Sequence, residues 1–164
     1  MPGARSTILL CQYSAAQSGS SSSGRSFWSM SRSWKWRSRA AAPTPLLATA
    51  TQYVPIVRLA GAHDRLRPVA AGEVTGTLAL AEGGRWDLDS IAATARPDGD
   101  AWVISGSKDA VFDGATADRL AVVARGEAGL GVFDVARGAV HATAINTIDP
   151  TQPLASIELR EVRV

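Results

Sequence analysis

The residues of this 164-residue chain that could do chemistry are three neighbouring acids, one late lysine, two serines, two histidines and one cysteine. Glu82, Asp87 and Asp89 lie beside the pair Gly83-Gly84. A carboxylate in reach of a substrate can accept a proton, and its placement counts before its pKa. Acids beside glycines can also ring a cation, and glycines alone can cradle a phosphate. Neither pattern is complete. No P-loop or dinucleotide fingerprint surrounds Gly83-Gly84, which reads as a plain turn. Asp87-Leu88-Asp89 lacks the later acidic and glycine positions of a calcium loop. Glu82 reads as a solvated or salt-bridged residue at a strand end, and Lys108, after a hairpin, as a surface charge. His63 and His141 have no zinc-like spacing to Cys or carboxylates. Ser105 and Ser107 have no nucleophile elbow or nearby histidine. Cys11 has no adjacent base. No residue is assigned as catalytic and none as a metal ligand.

The elements that must position these groups change character at Glu73. Over residues 39 to 72 the chain reads as helical with breaks. Pro43 and Pro45 punctuate its start, Leu46 to Leu59 is apolar, and Pro55 inside that run predicts a kink or a helix start. Gly61 is placed to end the helix. From Glu73 the period becomes alternating, with Val74, Gly76, Leu78 and Leu80 set against Thr75, Thr77 and Ala79, as in a half-buried strand. Further strands are predicted at 91–95, 101–105, 120–124, 129–135, 140–145 and 156–162. Pro97-Asp98-Gly99-Asp100 supplies a hairpin turn. Trp102 and Ile104 fall on one face of the second strand of that hairpin, Trp102 as core. Leu120 to Ala124 is apolar throughout, which predicts burial on both faces. The expected fold is mainly β, a barrel or sandwich over residues 73 to 164, preceded by a short helical segment.

Charge divides the chain in a similar place. Residues 1 to 63 hold seven Arg or Lys and no acid, whereas residues 64 to 164 hold ten basic and fifteen acidic side chains. The sequence pI of about 9.1 therefore belongs to the front and is no nucleic-acid footprint of the folded part. Residues 1 to 38 carry Trp28, Trp34 and Trp36 among Ser, Arg and Lys without a helical or strand period, so disorder is predicted there. Three readings compete for this segment: a basic arm stacking on single-stranded nucleic acid, a transit peptide, or out-of-frame translation of a GC-rich gene. No apolar run approaches the roughly 20 residues of a membrane span. A lone cysteine fits a reducing compartment, and a cytoplasmic location is expected.

The order of segments resembles the middle domain of the acyl-CoA dehydrogenase family. Gly76-Thr77-Leu78-Ala79-Leu80-Ala81-Glu82 is similar to that domain's opening strand, and Gly83-Gly84-Arg85-Trp86-Asp87 to its loop. Asp100 to Lys108 resembles the family's hairpin ending in Gly-x-Lys. Val111 to Asp118, Leu120 to Arg125 and Leu159 to Val164 resemble the segments that follow. Arg39-Ala40-Ala41-Ala42-Pro43-Thr44-Pro45 is similar to the end of the family's N-terminal helical domain, which makes residues 39 to 72 its expected remnant. The likeness stops abruptly upstream of Arg39, which favours the out-of-frame reading of residues 1 to 38. It also makes the chain read as a fragment that ends after the last middle-domain strand.

The resemblance implies a flavoprotein that oxidises acyl-CoA thioesters between Cα and Cβ. In it a carboxylate takes the α-proton and the flavin takes the β-hydride. It implies that FAD lies on Leu80, Ala81 and Glu82 and on Ala110, Val111 and Phe112. A strand end offers backbone donors and acceptors to the flavin's pyrimidine edge, and the flat ring needs an apolar wall. Three positions depart from the pattern. Ala81 replaces a hydroxyl residue, Ala110 a frequent tryptophan, and Trp86 falls near a loop serine. Because the family's base comes from a C-terminal helical domain, this chain alone is expected to be inactive and to hold FAD weakly or not at all. Homo- or hetero-oligomers are expected of the complete enzyme, with acyl-CoA as substrate and neither nucleic acid nor membrane as partner. The alternative is a non-catalytic structural or partner subunit of the same fold that does not hold flavin.

Overall fold

The computed structural model describes residues 8–9 and 46–164 of the chain. Most of the segment from 1 to 38, with its predicted disorder and its three competing readings, lies outside the described residues, as do residues 39 to 45. From the front of the chain only β1 (Ile8–Leu9) is described, paired antiparallel to Phe133 and Val132.

The predicted helix with an internal break is present as α1 (Leu46–Ala48), a π-turn (Thr49–Tyr53) and α2 (Val54–Leu59). Pro55 lies in the first turn of α2. A proline there has no amide to give to the carbonyl four residues back and its ring crowds that carbonyl. The widened turn before it relieves the conflict, and the Val54 amide bonds to Thr49, five residues back. Gly61 ends the helix as expected. Its φ of +73° is the left-handed conformation in which the Ala62 amide can reach back to the Val57 carbonyl. A 3-10 turn (His63–Arg65) and α3 (Leu66–Ala70) complete the helical part.

The rest is one curled sheet made of β1, β2 (Gly76–Ala79), β3 (Thr94–Asp98), β4 (Ala101–Phe112), β5 (Arg119–Gly126), β6 (Gly129–Ala136), β7 (His141–Ile145) and β8 (Leu154–Arg163). Its order is β1-β6-β5-β3-β4-β8-β7, with β2 parallel to β5. The predicted strands thus exist, with shifted bounds. The run 91–95 becomes 94–98 because Pro97 and Asp98 stay in register with Trp102 and Ala101, and the turn falls on Gly99-Asp100. The strand after the turn runs on to Phe112 because β8 pairs along its whole second half.

Strand β5 is the axis of the fold, and its apolar run is buried on both faces. Leu120, Val122 and Ala124 point into a core with Ile104, Phe133 and Ile157. Ala121 and Val123 point the other way, into a second core closed by Tyr53 and Val57 of the helix. Trp102 packs against the first core with its ring 5.4 Å from that of Phe133. The half-buried reading of β2 is corrected: Thr77 and Ala79 are as inaccessible as any core residue, and Leu78 packs into the second core. A strand flanked by helix and sheet has no solvent face. Gly76 is the price of that closeness, since a Cβ there would lie 2.4 Å from the Tyr53 ring.

Candidate functional site

Strands β2 and β3 lie end to end along one edge of β5: Gly76 to Ala79 pair with Arg119 to Val122, and Thr94 pairs with Arg125. Between them the chain leaves the sheet from Leu80 to Ala93. Beside this gap runs the second half of β4, whose other edge is held by β8. The two stretches named by the sequence, Leu80 to Glu82 and Ala110 to Phe112, flank this split.

Two irregularities shape β4 here. Lys108 pairs with Ile157 and Val111 with Ala155, so Asp109 and Ala110 together oppose the single residue Ser156. This bulge puts Ala110 at φ +49°, an uncommon conformation for a side chain with a Cβ. It turns Asp109 out of the β8 ladder and toward β2. The Asp109 amide donates to the Ala81 carbonyl at 2.8 Å, and its carboxylate accepts from the Gly83 amide at 2.8 Å. Upstream, Gly106 at φ +141° passes over Ala93, where a Cβ would lie 2.8 Å from the Ala93 Cα and Cβ.

Gly83-Gly84 is the plain turn expected. Both glycines have positive φ, and Glu82 and Arg85 exchange backbone hydrogen bonds of 3.1 and 2.9 Å across it. Beyond it Asp87 bonds to the Arg85 side chain and caps the next turn through the Ser90 amide. These contacts hold the Asp87 carboxyl below its usual range, the Arg85 hydrogen bond first among them.

Lys108 corrects the sequence reading. It is no surface charge: its side chain is wholly inaccessible, with Nζ donating to the Leu80 carbonyl at 3.3 Å and to Glu82 Oε1 at 2.5 Å. Burial disfavours its ammonium form, and Glu82 opposes that pull. Glu82 also accepts from the amides of Ala92 at 2.7 Å and Ala93 at 3.1 Å. Burial alone would raise its pKa; the bond from Lys108 and the two amides outweigh this and lower it. Glu82 is thus salt-bridged, as expected, but as the hub of three chain segments. A carboxylate so fully engaged is a poor proton acceptor.

The side chains of the six predicted cofactor residues point in different directions. Val111 enters the first core, and Ala81 is buried. Leu80 lines an apolar groove of about 320 Å³ with Ile56, Leu59, Leu78, Val123 and Leu130. Glu82 and Ala110 are partly exposed, and Phe112 stands 6.3 Å from the half-exposed Trp86, their rings tilted by 42°. The split therefore offers a backbone shelf from the strand end and the bulge, with a two-ring aromatic rim. Ala81 brings no side-chain hydrogen bond to it. Among the described residues no cluster of three or more His, Cys, Asp or Glu side chains forms, and no helix is long and apolar enough to cross a membrane.

A second polar cluster went unread in the sequence. Asp134, in the apolar run of β6, accepts from the Tyr53 hydroxyl at 3.0 Å and from Arg119 Nη2 at 2.6 Å, with Arg65 at 3.6 Å. Its only sequence signal is an acid between Phe133 and Val135.

Neither a family model nor a curated protein matches the chain. Solved structures do. One is a glutaryl-CoA dehydrogenase from Mycobacterium smegmatis in complex with FADH2, 25% identical with a TM-score of 0.57, matching 62% of this chain and 28% of its own. A variant of a steroid ACAD is 32% identical with a TM-score of 0.56, again over 62% and 28%. The ChsE4–ChsE5 complex from Mycobacterium tuberculosis is 27% identical with a TM-score of 0.51, over 59% and 26%. The chain thus spans little more than a quarter of the length of these proteins. Its curled sheet and preceding helix have the acyl-CoA dehydrogenase middle-domain fold, and the solved structures it is similar to include acyl-CoA dehydrogenases, as the resemblance in its sequence implied.

Proposed function

We propose that this chain supplies the flavin-bearing β domain of an acyl-CoA dehydrogenase-type oxidoreductase acting on CH–CH bonds of acyl-CoA thioesters. The observation that carries this reading is the split between β2 and β4, with its main-chain shelf and the Trp86–Phe112 rim, in a fold shared with a structure solved with FADH2. FAD would rest on Leu80, Ala81 and Glu82 and on Ala110, Val111 and Phe112, and when bound it supplies the hydride acceptor. The chain's own part is to orient the ring through backbone groups and to wall one face. Residues 73 to 164 are the working domain of this reading and residues 39 to 72 the end of a helical one. Acyl-CoA is the substrate, homo- or hetero-oligomers the assembly, and the cytoplasm the setting; nucleic acid and membrane have no part.

Two of the three neighbouring acids are engaged. Glu82 is committed to Lys108 and two amides, and Asp87 to Arg85 and Ser90. The family resemblance implies that the proton acceptor comes from a further helical domain. The test is FAD titration of the purified chain, followed by dye reduction with a panel of acyl-CoA thioesters. Weak or absent flavin binding and no turnover are expected of the chain alone, with turnover on adding such a helical domain in trans. Turnover by the chain alone that vanishes in Glu82→Gln would overturn the assignment of the base.

A second reading, a structural or partner subunit of the same fold without flavin, is favoured by one observation. Ala81 and Ala110 put methyl groups where the family has a hydroxyl and an aromatic ring. A chain that binds no FAD even with the helical domain present supports this second reading.

A further inference from the structure

The one fully inaccessible charged side chain among the described residues, Lys108, sits beneath the shelf and takes no part in the chemistry described above. A buried ammonium is costly unless it is paired and hydrogen-bonded. The surroundings of Lys108 say what it does. The strand end of β2 and the bulge of β4 have no continuous ladder between them: they are joined by the Asp109–Ala81 backbone bond, the Asp109–Gly83 bond and Lys108. Lys108 reaches both ends of the stretch in question, the Leu80 carbonyl and the Glu82 carboxylate. Through Glu82 it also reaches the amides of Ala92 and Ala93, where the chain rejoins the sheet. One cation thus pins the start, the end and the return of the loop that leaves the sheet.

We propose that Lys108 is a positioning residue: paired with Glu82, it sets the spacing between the end of β2 and the bulge of β4, and so the shape of the shelf. That the shelf holds a flavin rests on the reading above; the clamp itself does not. The pair joins β4 to the loop that follows β2, and neither partner lies in β5 or β6, so its loss should loosen the loop and leave the β5–β6 ladder intact.

The test is amide hydrogen exchange on the full chain without ligand, in the wild type, Lys108→Met and Glu82→Gln. Loss of the pair is expected to speed exchange at Gly83, Ala92, Ala93 and Asp109 at least about tenfold, while the paired amides of β5 and β6 keep their protection. Glu82→Gln keeps a carbonyl acceptor and should give the smaller increase, and it decides the matter alone if Lys108→Met does not fold. Unchanged exchange at the four amides overturns the proposal. So does faster exchange that rises in step at β5 and β6, which would make the pair a general stabiliser. A parallel FAD titration separates the two readings. If the wild type binds FAD, Lys108→Met should weaken binding at least about tenfold, and unchanged affinity overturns the positioning role. If the wild type alone binds none, the flavin reading is decided by the titration with the helical domain present, and the exchange result still decides the clamp.

Discussion

Two ion-paired acids among the described residues, the buried Asp134 and the partly exposed Glu82, serve opposite ends. Asp134 lies in the middle of β6, accepts from Tyr53 and Arg119, and fastens the helix across the sheet where Gly76 lets the Tyr53 ring come close. Everything around it is continuous: strand pairs on both sides of β5 and a closed core. Glu82 lies where the sheet is split, and its partners hold a gap in a fixed shape. A buried ion pair is thus no sign of a site by itself. What separates the two is the backbone: where ladders are complete the pair serves cohesion, and where they are missing it serves placement.

The largest expected effect belongs to the first cluster. Asp134→Ala leaves the Tyr53 hydroxyl and Arg119 without their acceptor, and should lower the unfolding free energy by about 3 kcal/mol. Urea denaturation measures it, through a lower midpoint at unchanged slope. A loss below about 1 kcal/mol would mean that the cluster is not what joins helix to sheet.

The two clusters should also fail at opposite ends of the pH scale. Glu82 has a folded-state pKa below its ordinary 4.5, so its contribution is complete above that value and is lost as the pH falls through the depressed one. Tyr53 is pushed above its ordinary 10.0, by burial first and then by Asp134. Its contribution is complete below pH 10 and is lost as the pH rises through the elevated value. Denaturation midpoints should therefore show the gap between wild type and Glu82→Gln closing toward acid, and the gap between wild type and Tyr53→Phe closing toward alkali. Gaps that stay constant with pH would remove the electrostatic part of the comparison.

The smallest effect is expected at the pairs that belong to neither cluster. Arg96–Glu161 joins two well-exposed side chains at 3.1 Å. Arg96→Ala should shift stability by less than about 0.5 kcal/mol, and added salt should erase the shift.

How much of this was legible in the sequence follows the range of the interactions. The burial of β5 on both faces shows in five successive apolar residues, and the turns show in Gly61, Gly83-Gly84 and Gly99, because each of these is local chemistry. The burial of Lys108 does not show. Its partner is 26 positions away, and the bulge at Asp109-Ala110 that turns the strand is induced by pairing with β8. Asp134 was missed for the same reason, its hydroxyl partner being 81 positions away. The six candidate cofactor residues were named by resemblance. The structure brings their backbones to one split, while it sends Leu80 and Val111 into two different apolar regions.

The end-to-end placement of β2 and β3 along β5 also orders events in time. Strands β5 and β6 meet through a tight local turn, from Arg119↔Ala136 to Gly126↔Gly129. Strand β2 must close a loop of some forty residues to pair with that same β5. Chain entropy favours the short closure first, so the hairpin is the template and β2 the late arrival. On this hypothesis Val122→Ala slows refolding, whereas Leu78→Ala mainly speeds unfolding. Stopped-flow chevrons showing the reverse would place the parallel pair in the folding nucleus.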